Sequence, residues 1–204
     1  MTKKTDNHNL HTKLDLRRYF LRKYHSQQQP RVFDCCQGSG KIWSELRKDH
    51  PVGSYWGVDL KPKKGRIKID SERVLAQPGW AFDVIDVDAY GSPWDHWLAI
   101  LEHTQHDVTV FLTVGLVRAG GGGNLSNSQR RVLGIDGLKV PAGISGKLHE
   151  LSAKYMLAKT GDHGITIQEC IEAFPSANAR YIGVRLSKQT GSSASPPKPA
   201  TTTF

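Results

Sequence analysis

Between residues 31 and 117 short apolar runs alternate with segments that read as helices, and no other feature constrains the fold of this chain as strongly. RVFDCC (31–36) is an apolar run ending at a glycine turn, and KIWSELRKDH (41–50) follows as a helix. SYWGVDL (54–60) reads as a second strand, RIKID (66–70) as a weaker third, and SERVLAQ (71–77) as a short helix. FDVIDV (82–87) is a strongly apolar fourth strand. PWDHWLAILEHT (93–104) is a helix with proline at its start, a position that needs no N–H donor. DVTVFLTVGLV (107–117) is a fifth strand. Strands alternating with helices predict an α/β chain: a Rossmann-like, doubly wound, mostly parallel sheet with helices on both faces.

The flanks differ in character. Residues 12–25 (TKLDLRRYFLRKYH) predict a helix with Leu14, Leu16, Phe20, Leu21 and Tyr24 on one broad face, interrupted by Lys13 and Arg17. Such a helix could dock on the domain and present arginines to a partner. Residues 118–143 contain four consecutive glycines in a polar stretch and are expected to lack regular structure, as a loop that closes over substrate or as a disordered one. GISGKLHELSAKYMLAK (143–159) reads as a helix, GITIQECIEAF (164–174) as another helix or a strand–helix pair, and ARYIGVRL (179–186) as a closing strand. The Ser/Pro/Thr-rich end, 188–204, is expected to be a disordered tail. The expected organisation is a basic arm with a helix over 1–30, a domain over 31–187 and the tail.

The formal net charge of +9 is unevenly spread. Residues 1–31 hold eight Lys/Arg and two Asp, whereas 32–186 hold 18 basic and 17 acidic residues. A basic arm on a near-neutral domain suits a nucleic acid or another polyanion, or serves as a solubilising extension. No apolar run approaches the ~20 residues of a membrane helix, so no membrane partner is expected. The first residues lack the apolar core of a secretory signal. The three cysteines, Cys35, Cys36 and Cys170, form neither a disulfide framework nor a metal spacing, which points to a reducing, cytoplasmic setting. No metal site is expected: His103 and His106 stand three apart without a completing ligand set.

The glycine turn, Asp34-Cys-Cys-Gln-Gly38-Ser-Gly40-Lys-Ile-Trp43, resembles three different loops. A phosphate-binding P-loop needs a hydroxyl after Gly-Lys and a glycine five residues before the second one, but Ile42 and Cys35 stand there. A dinucleotide loop needs a third glycine where Trp43 stands. What remains is a strand ending in Asp34, a turn with Gly38 and Gly40, then Asp59 and Asp70 at the ends of the next two strands. Parallel strands present their carboxyl ends on one edge, so these acids line one crevice. Such a site suits a ligand with a ribose and a base but no diphosphate. Ordinary turn glycines with strand-end acids are the plainer alternative.

This pattern resembles the class I S-adenosylmethionine-dependent methyltransferases, whose first motif is D-x-G-x-G-x-G, with Cys36 here in place of the first glycine. The resemblance implies the class I methyltransferase fold and S-adenosyl-L-methionine as cofactor. By it, Asp34, Cys36, Gly38 and Gly40 would hold the methionine end, Asp59 the ribose hydroxyls, and Asp70 would lie near the adenine amine.

A second segment, Asp86-Val-Asp88-Ala89-Tyr90-Gly-Ser-Pro93, is similar to D-x-D-P-F/Y-G-S-P of the tRNA guanine-N2 dimethyltransferases, with Ala89 in place of proline. Those enzymes are longer and carry a further C-terminal domain. Asp86 and Asp88 are two apart, so in a strand they share a face. The resemblance makes Asp88, Ala89 and Tyr90 the catalytic set. The Asp88 carboxylate and the Ala89 carbonyl would accept the two N–H groups of an exocyclic amine, and Tyr90 would stack on the base. Asp86 reads as a bracing carboxylate, Trp94 and Trp97 as core, and Cys35 and Cys36 as packing residues. Lys61, Lys63, Lys64, Arg66 and Lys68 form a basic run that could track phosphates or be simply solvated. The expected function is methylation of an exocyclic amine of a nucleic acid base, RNA ahead of DNA. The alternatives are a small-molecule methyltransferase and a nucleic-acid-binding module that keeps the fold without turnover.

Overall fold

The computed structural model describes residues 9–89, 91–115, 125–176 and 179–188. In chain order the elements are α1 (Leu10–Tyr24), β1 (Arg31–Asp34), α2 (Lys41–Asp49), β2 (Ser54–Asp59), β3 (Ile67–Lys68), α3 (Ser71–Leu75) and β4 (Val84–Val87). There follow α4 (Trp94–His103), β5 (Val108–Gly115), α5 (Asn127–Val132), α6 (Ala142–Ala158), a 3-10 turn (Lys159–His163), β6 (Ile165–Ser176) and β7 (Ala179–Lys188). The strands form one sheet in the order β3-β2-β1-β4-β5-β7-β6. β1 to β5 are parallel, and β7 runs antiparallel to both neighbours. The order reverses at β1 and β4, and in open α/β sheets the crevice beyond such a switch point is where ligands bind.

Successive strand residues face opposite sides, and the core divides accordingly. Phe33, Ile85, Val87, Val110 and Val184 pack with Leu75 of α3, Trp94 and Trp97 of α4 and Met156 of α6. Val32, Val84, Phe111 and Tyr181 pack on the other face with Trp43 and Leu46 of α2 and with Leu14, Leu16, Phe20 and Leu21 of α1. α1 is therefore a layer of the domain. A Cβ on Gly183 of β7 would come within 2.5 Å of the Phe20 ring, so the glycine creates the seat for that ring.

Two expectations are corrected. The segment 164–174 is neither a helix nor a strand–helix pair: Gly164 caps the 3-10 turn and 165–174 lie in the edge strand β6. Ile165, Ile167, Ile171 and Ala173 are covered and the residues between them exposed, while Glu169 occupies the covered register and breaks the apolar pattern. Its carboxylate is satisfied by Tyr19, Lys23 and Tyr24 of α1. Within 118–143, α5 is regular, closed by a capping box in which Ser126 Oγ accepts from the Gln129 N–H and Gln129 Oε1 from the Ser126 N–H. Its buried residues, Ser128 and Gln129, are polar, so no apolar periodicity marked it. Tyr90, Arg118, the four glycines and the tail beyond Lys188 lie outside the described residues. Among the described residues no helix is long and apolar enough to cross a membrane.

Candidate active site

The glycine turn is built by backbone contacts between three strand ends. The Cys35 N–H donates to the Asp86 carbonyl at 2.9 Å and the Gln37 N–H to the Val58 carbonyl at 2.9 Å. Gly38 and Gly40 both take positive φ, 50° and 68°, where a side chain would be strained. Asp59 braces the turn: Oδ2 accepts from the Gly38 N–H at 2.9 Å and Oδ1 from the Lys61 N–H at 2.8 Å. Arg66 donates to the Ser39 carbonyl at 3.2 Å, and its guanidinium lies where a Gly40 side chain would project. Asp70 is the N-cap of α3 and accepts from the Glu72 N–H at 3.1 Å. Cys35 is buried and Cys36 half-buried, and burial pushes both thiols up, which suits packing and not nucleophilic chemistry.

Beyond the turn, Asp34 at the end of β1 and Asp86 in β4 are register partners, and Asp88 follows two residues later. Asp34 and Asp86 continue the face of Val32 and Val84, which is the face that α1 covers. Two cations of α1 meet these acids. Arg17 forks onto Asp86, Nε to Oδ2 at 2.7 Å and Nη2 to Oδ1 at 2.6 Å, with Trp43 Nε1 adding a third bond to Oδ2 at 2.8 Å. Lys13 Nζ lies 2.6 and 2.7 Å from the two oxygens of Asp88 and over the Tyr181 ring, 5.0 Å from its centroid. The spacing is mutual. Four residues of helix rise about 6 Å, two residues of strand about 6.6 Å, so a Lys/Arg pair one turn apart matches an Asp pair two apart.

Asp34 completes the group without a cation in contact among the described residues. Its Oδ2 accepts from the Tyr55 hydroxyl at 2.7 Å, and Oδ1 lies 3.4 Å from the Cys36 N–H. Burial, then the neighbouring charge of Asp86, pushes its carboxyl up to about 8 against the Tyr55 hydrogen bond. Asp88 behaves oppositely. Burial raises it, but the charges of Lys13 and Arg17 outweigh burial and hold the carboxyl below its ordinary range. The cluster thus has three carboxyl groups, two cations and a place at Asp34 where a further positive charge would be accommodated.

The structure brings together Asp34, Cys36, Gly38, Gly40 and Asp59 around the turn, and Asp88 with Ala89 at the neighbouring strand end. Asp70 serves its own helix. Trp94 and Trp97 are fully buried in the core, and Asp86 braces α1 and α2. Sequence reasoning missed Lys13, Arg17, Trp43 and Tyr55. The available signal was the pair of acids two apart in an apolar strand, which demands two cations one helical turn apart somewhere else in the chain.

The sheet order, the parallel core and the antiparallel β7 give the Rossmann-like fold of the class I methyltransferases. Comparison with solved structures agrees. Trm1 from Pyrococcus horikoshii in complex with S-adenosyl-L-methionine superposes with a TM-score of 0.62 at 16% identity, covering 92% of this chain and 59% of that one. TYW2 from M. jannaschii in complex with AdoMet gives 0.52 at 7% identity over 78% and 69% of the two chains. Magnesium protoporphyrin IX methyltransferase from Synechocystis PCC 6803 with bound SAM gives 0.51 at 13% over 87% and 78%. The chain thus spans about three-fifths of the Trm1 chain. No protein-family model and no curated protein matches the sequence.

Proposed function

We propose that this chain is an S-adenosylmethionine-dependent methyltransferase whose acceptor is an exocyclic amine of a nucleic acid base, RNA ahead of DNA. The observation that carries the reading is the juxtaposition of Asp34 and Asp88 at the ends of β1 and β4, at the switch point of the fold.

The residues present fit the cofactor. Asp34 is a buried carboxyl group with no cation in contact among the described residues, and the methionine end of S-adenosylmethionine carries an ammonium beside its sulfonium. The turn at Gly38 and Gly40 lets backbone approach that end closely. Asp59 is half-buried, and its oxygens keep lone pairs for ribose hydroxyls. When bound, the cofactor supplies an electrophilic methyl group. The protein's part is to position the acceptor. An aromatic exocyclic amine is a poor nucleophile because its lone pair is delocalised into the ring. Asp88 and the Ala89 carbonyl accept its two N–H bonds, aim the lone pair and stabilise the positive charge that grows on nitrogen. The amine would give up one proton on methylation, and the Asp88 carboxylate is the group placed to accept it. Tyr90 is the residue suited to stack on the base.

The polyanion surface is better assigned to the β2–β3 connection than to an N-terminal arm. Lys13 and Arg17 face inward, and Arg18, Lys23 and Arg31 pair with Asp49, Glu169 and Asp83. Lys61, Lys63, Lys64, Arg66 and Lys68 are exposed beside the crevice. The resemblance of Asp86–Pro93 to the D-x-D-P-F/Y-G-S-P segment of the tRNA guanine-N2 dimethyltransferases supports RNA as the polymer.

Transfer of tritium from labelled cofactor to RNA, DNA and small aromatic amines tests the reading. Label in nucleic acid, with the product nucleoside identified by mass spectrometry, is the expected result. Label only in the small amines favours a small-molecule enzyme, and an Asp88→Ala protein as active as wild type removes the site assignment.

A further inference from the structure

We propose that Lys13 is a positioning residue for Asp88, holding the carboxylate in the one orientation from which it accepts an acceptor amine; this rests on the methyltransferase reading given above. Three observations converge on it. Lys13 contacts both Asp88 oxygens at nearly equal distances, so it holds the carboxylate head in place and not only its charge. Both side chains are largely covered, 8% and 18% exposed, so the contact is not a solvated surface pair. Lys13 is itself fixed: Arg17 Nη1 donates to the Lys13 carbonyl at 3.0 Å, and Arg17 is clamped to Asp86. The anchor at Asp86 sets the height of α1, and the height of α1 sets the ammonium against Asp88.

The chemistry needs such a residue. Asp88 shares its crevice with two other carboxyl groups, Asp34 and Asp86. Among the described residues the cations that bear on Asp88 are Lys13 and Arg17, both from α1. Without Lys13, burial would push the Asp88 carboxyl up with mainly the charge of Arg17 opposing it, and Asp88 would take up a proton more readily. A protonated Asp88 offers an O–H where the amine needs an acceptor. Lys13 takes one lone pair of each oxygen, and the carboxylate keeps further acceptor capacity for the Thr113 hydroxyl beside it and for an incoming N–H. α1, read from sequence as part of an arm for the substrate's phosphates, then acts on the amine chemistry instead.

Lys13→Met and Lys13→Arg separate this role from simple packing. The Asp88 side-chain carboxyl carbon is followed by NMR against pH and assigned with Asp88→Asn. Methyl transfer to nucleic acid is measured as kcat and as cofactor KM over the same range. In Lys13→Met the Asp88 midpoint is expected to rise by more than one pH unit. The acid limb of the kcat profile should follow it, kcat near neutral pH should fall at least tenfold, and the cofactor KM should stay within about twofold. Lys13→Arg should restore both the midpoint and the limb. An unmoved Asp88 midpoint in folded Lys13→Met overturns the role of Lys13, whatever the activity. A moved midpoint with an unchanged kcat profile also overturns it. Wild-type protein that transfers no methyl group to any nucleic acid overturns the functional reading and the reaction role with it.

Discussion

Arg17 and Asp86, 69 residues apart in sequence, are joined by two parallel hydrogen bonds of 2.7 and 2.6 Å with almost no solvent access. This pair fastens α1 to the centre of the sheet. Removing one partner of a buried pair leaves the other charged, desolvated and unmatched. Arg17→Met is therefore expected to cost about 3–5 kcal/mol, whereas replacing both partners by apolar residues of similar volume is often near neutral. Arg17→Met with Asp86→Leu should lie well above Arg17→Met alone, short of wild type because Trp43 Nε1 then loses its acceptor. Urea unfolding of Arg17→Met, Asp86→Leu and the double variant measures this. A double variant as unstable as the two single losses added together would show that the pair is not coupled.

Asp34 links stability and cofactor binding to pH. Its carboxyl is raised from an ordinary 3.8 to about 8. Between those values the folded protein holds a proton that the unfolded chain has released, so this group's contribution to stability is full below the lower value and is lost as pH rises through the upper one. Asp34→Asn should flatten that part of the stability profile. A cation arriving at Asp34 favours the carboxylate, so binding of S-adenosylmethionine near pH 7 should expel a proton and tighten as pH rises toward 8. Calorimetry in buffers of different ionisation enthalpy reads the proton directly. Wild type should release it and Asp34→Asn should not. Equal proton counts for the two would locate the titrating group elsewhere.

The central strands were legible because β1, β4 and β5 are covered on both faces and read as apolar runs, and the crevice followed from the acids at their ends. β6 was not, because Glu169 sits in its covered register and is matched by three residues of α1 that local sequence cannot point to. α5 was hidden for a related reason: it buries Ser128 and Gln129, whose value lies in a capping box and in Gln129 bonds to His149 and Ser152. Lys13 and Arg17 were visible as cations that interrupt an apolar face. Their role depends on acids about seventy residues away, so composition alone assigned them to a solvent-facing arm. The candidate site residues at strand ends could be picked out in sequence, whereas Lys13, Arg17, Trp43 and Tyr55, which reach across the face from α1, α2 and β2, could not.

Gly183 tests how closely α1 must seat. Phe20 is fully buried and meets the strand where the glycine leaves room. Gly183→Ala forces the ring or the helix to shift, and overpacking of this kind costs about 1–3 kcal/mol. The smaller ring-free side chain of Phe20→Leu should recover part of the loss in the double variant. Because α1 also carries Lys13, the glycine variant should lose methyl transfer by more than its unfolded fraction explains. Parallel unfolding and turnover measurements distinguish these losses. Activity that falls only in step with the folded population would separate the seating of α1 from the chemistry.

The β2–β3 basic ridge predicts how affinity responds to salt. Each phosphate neutralised on a single strand contributes about −0.7 to the slope of log affinity against log salt concentration, and about −0.9 on a B-form DNA duplex. Lys61, Lys63 and Lys64 are exposed on one connection beside the turn. Changing all three to glutamine should reduce that slope by roughly 2 units on a single strand if each meets a phosphate. The same change made in Arg18, Arg22 and Lys23 of α1 should reduce it less, because Arg18 and Lys23 are engaged with Asp49 and Glu169. Neither set touches Asp34 or Asp88, so turnover on a saturating nucleic acid should be preserved in both. Fluorescence anisotropy with a labelled single-stranded RNA across salt concentrations measures both slopes. A larger loss from the α1 set would return the polyanion surface to the N-terminal helix.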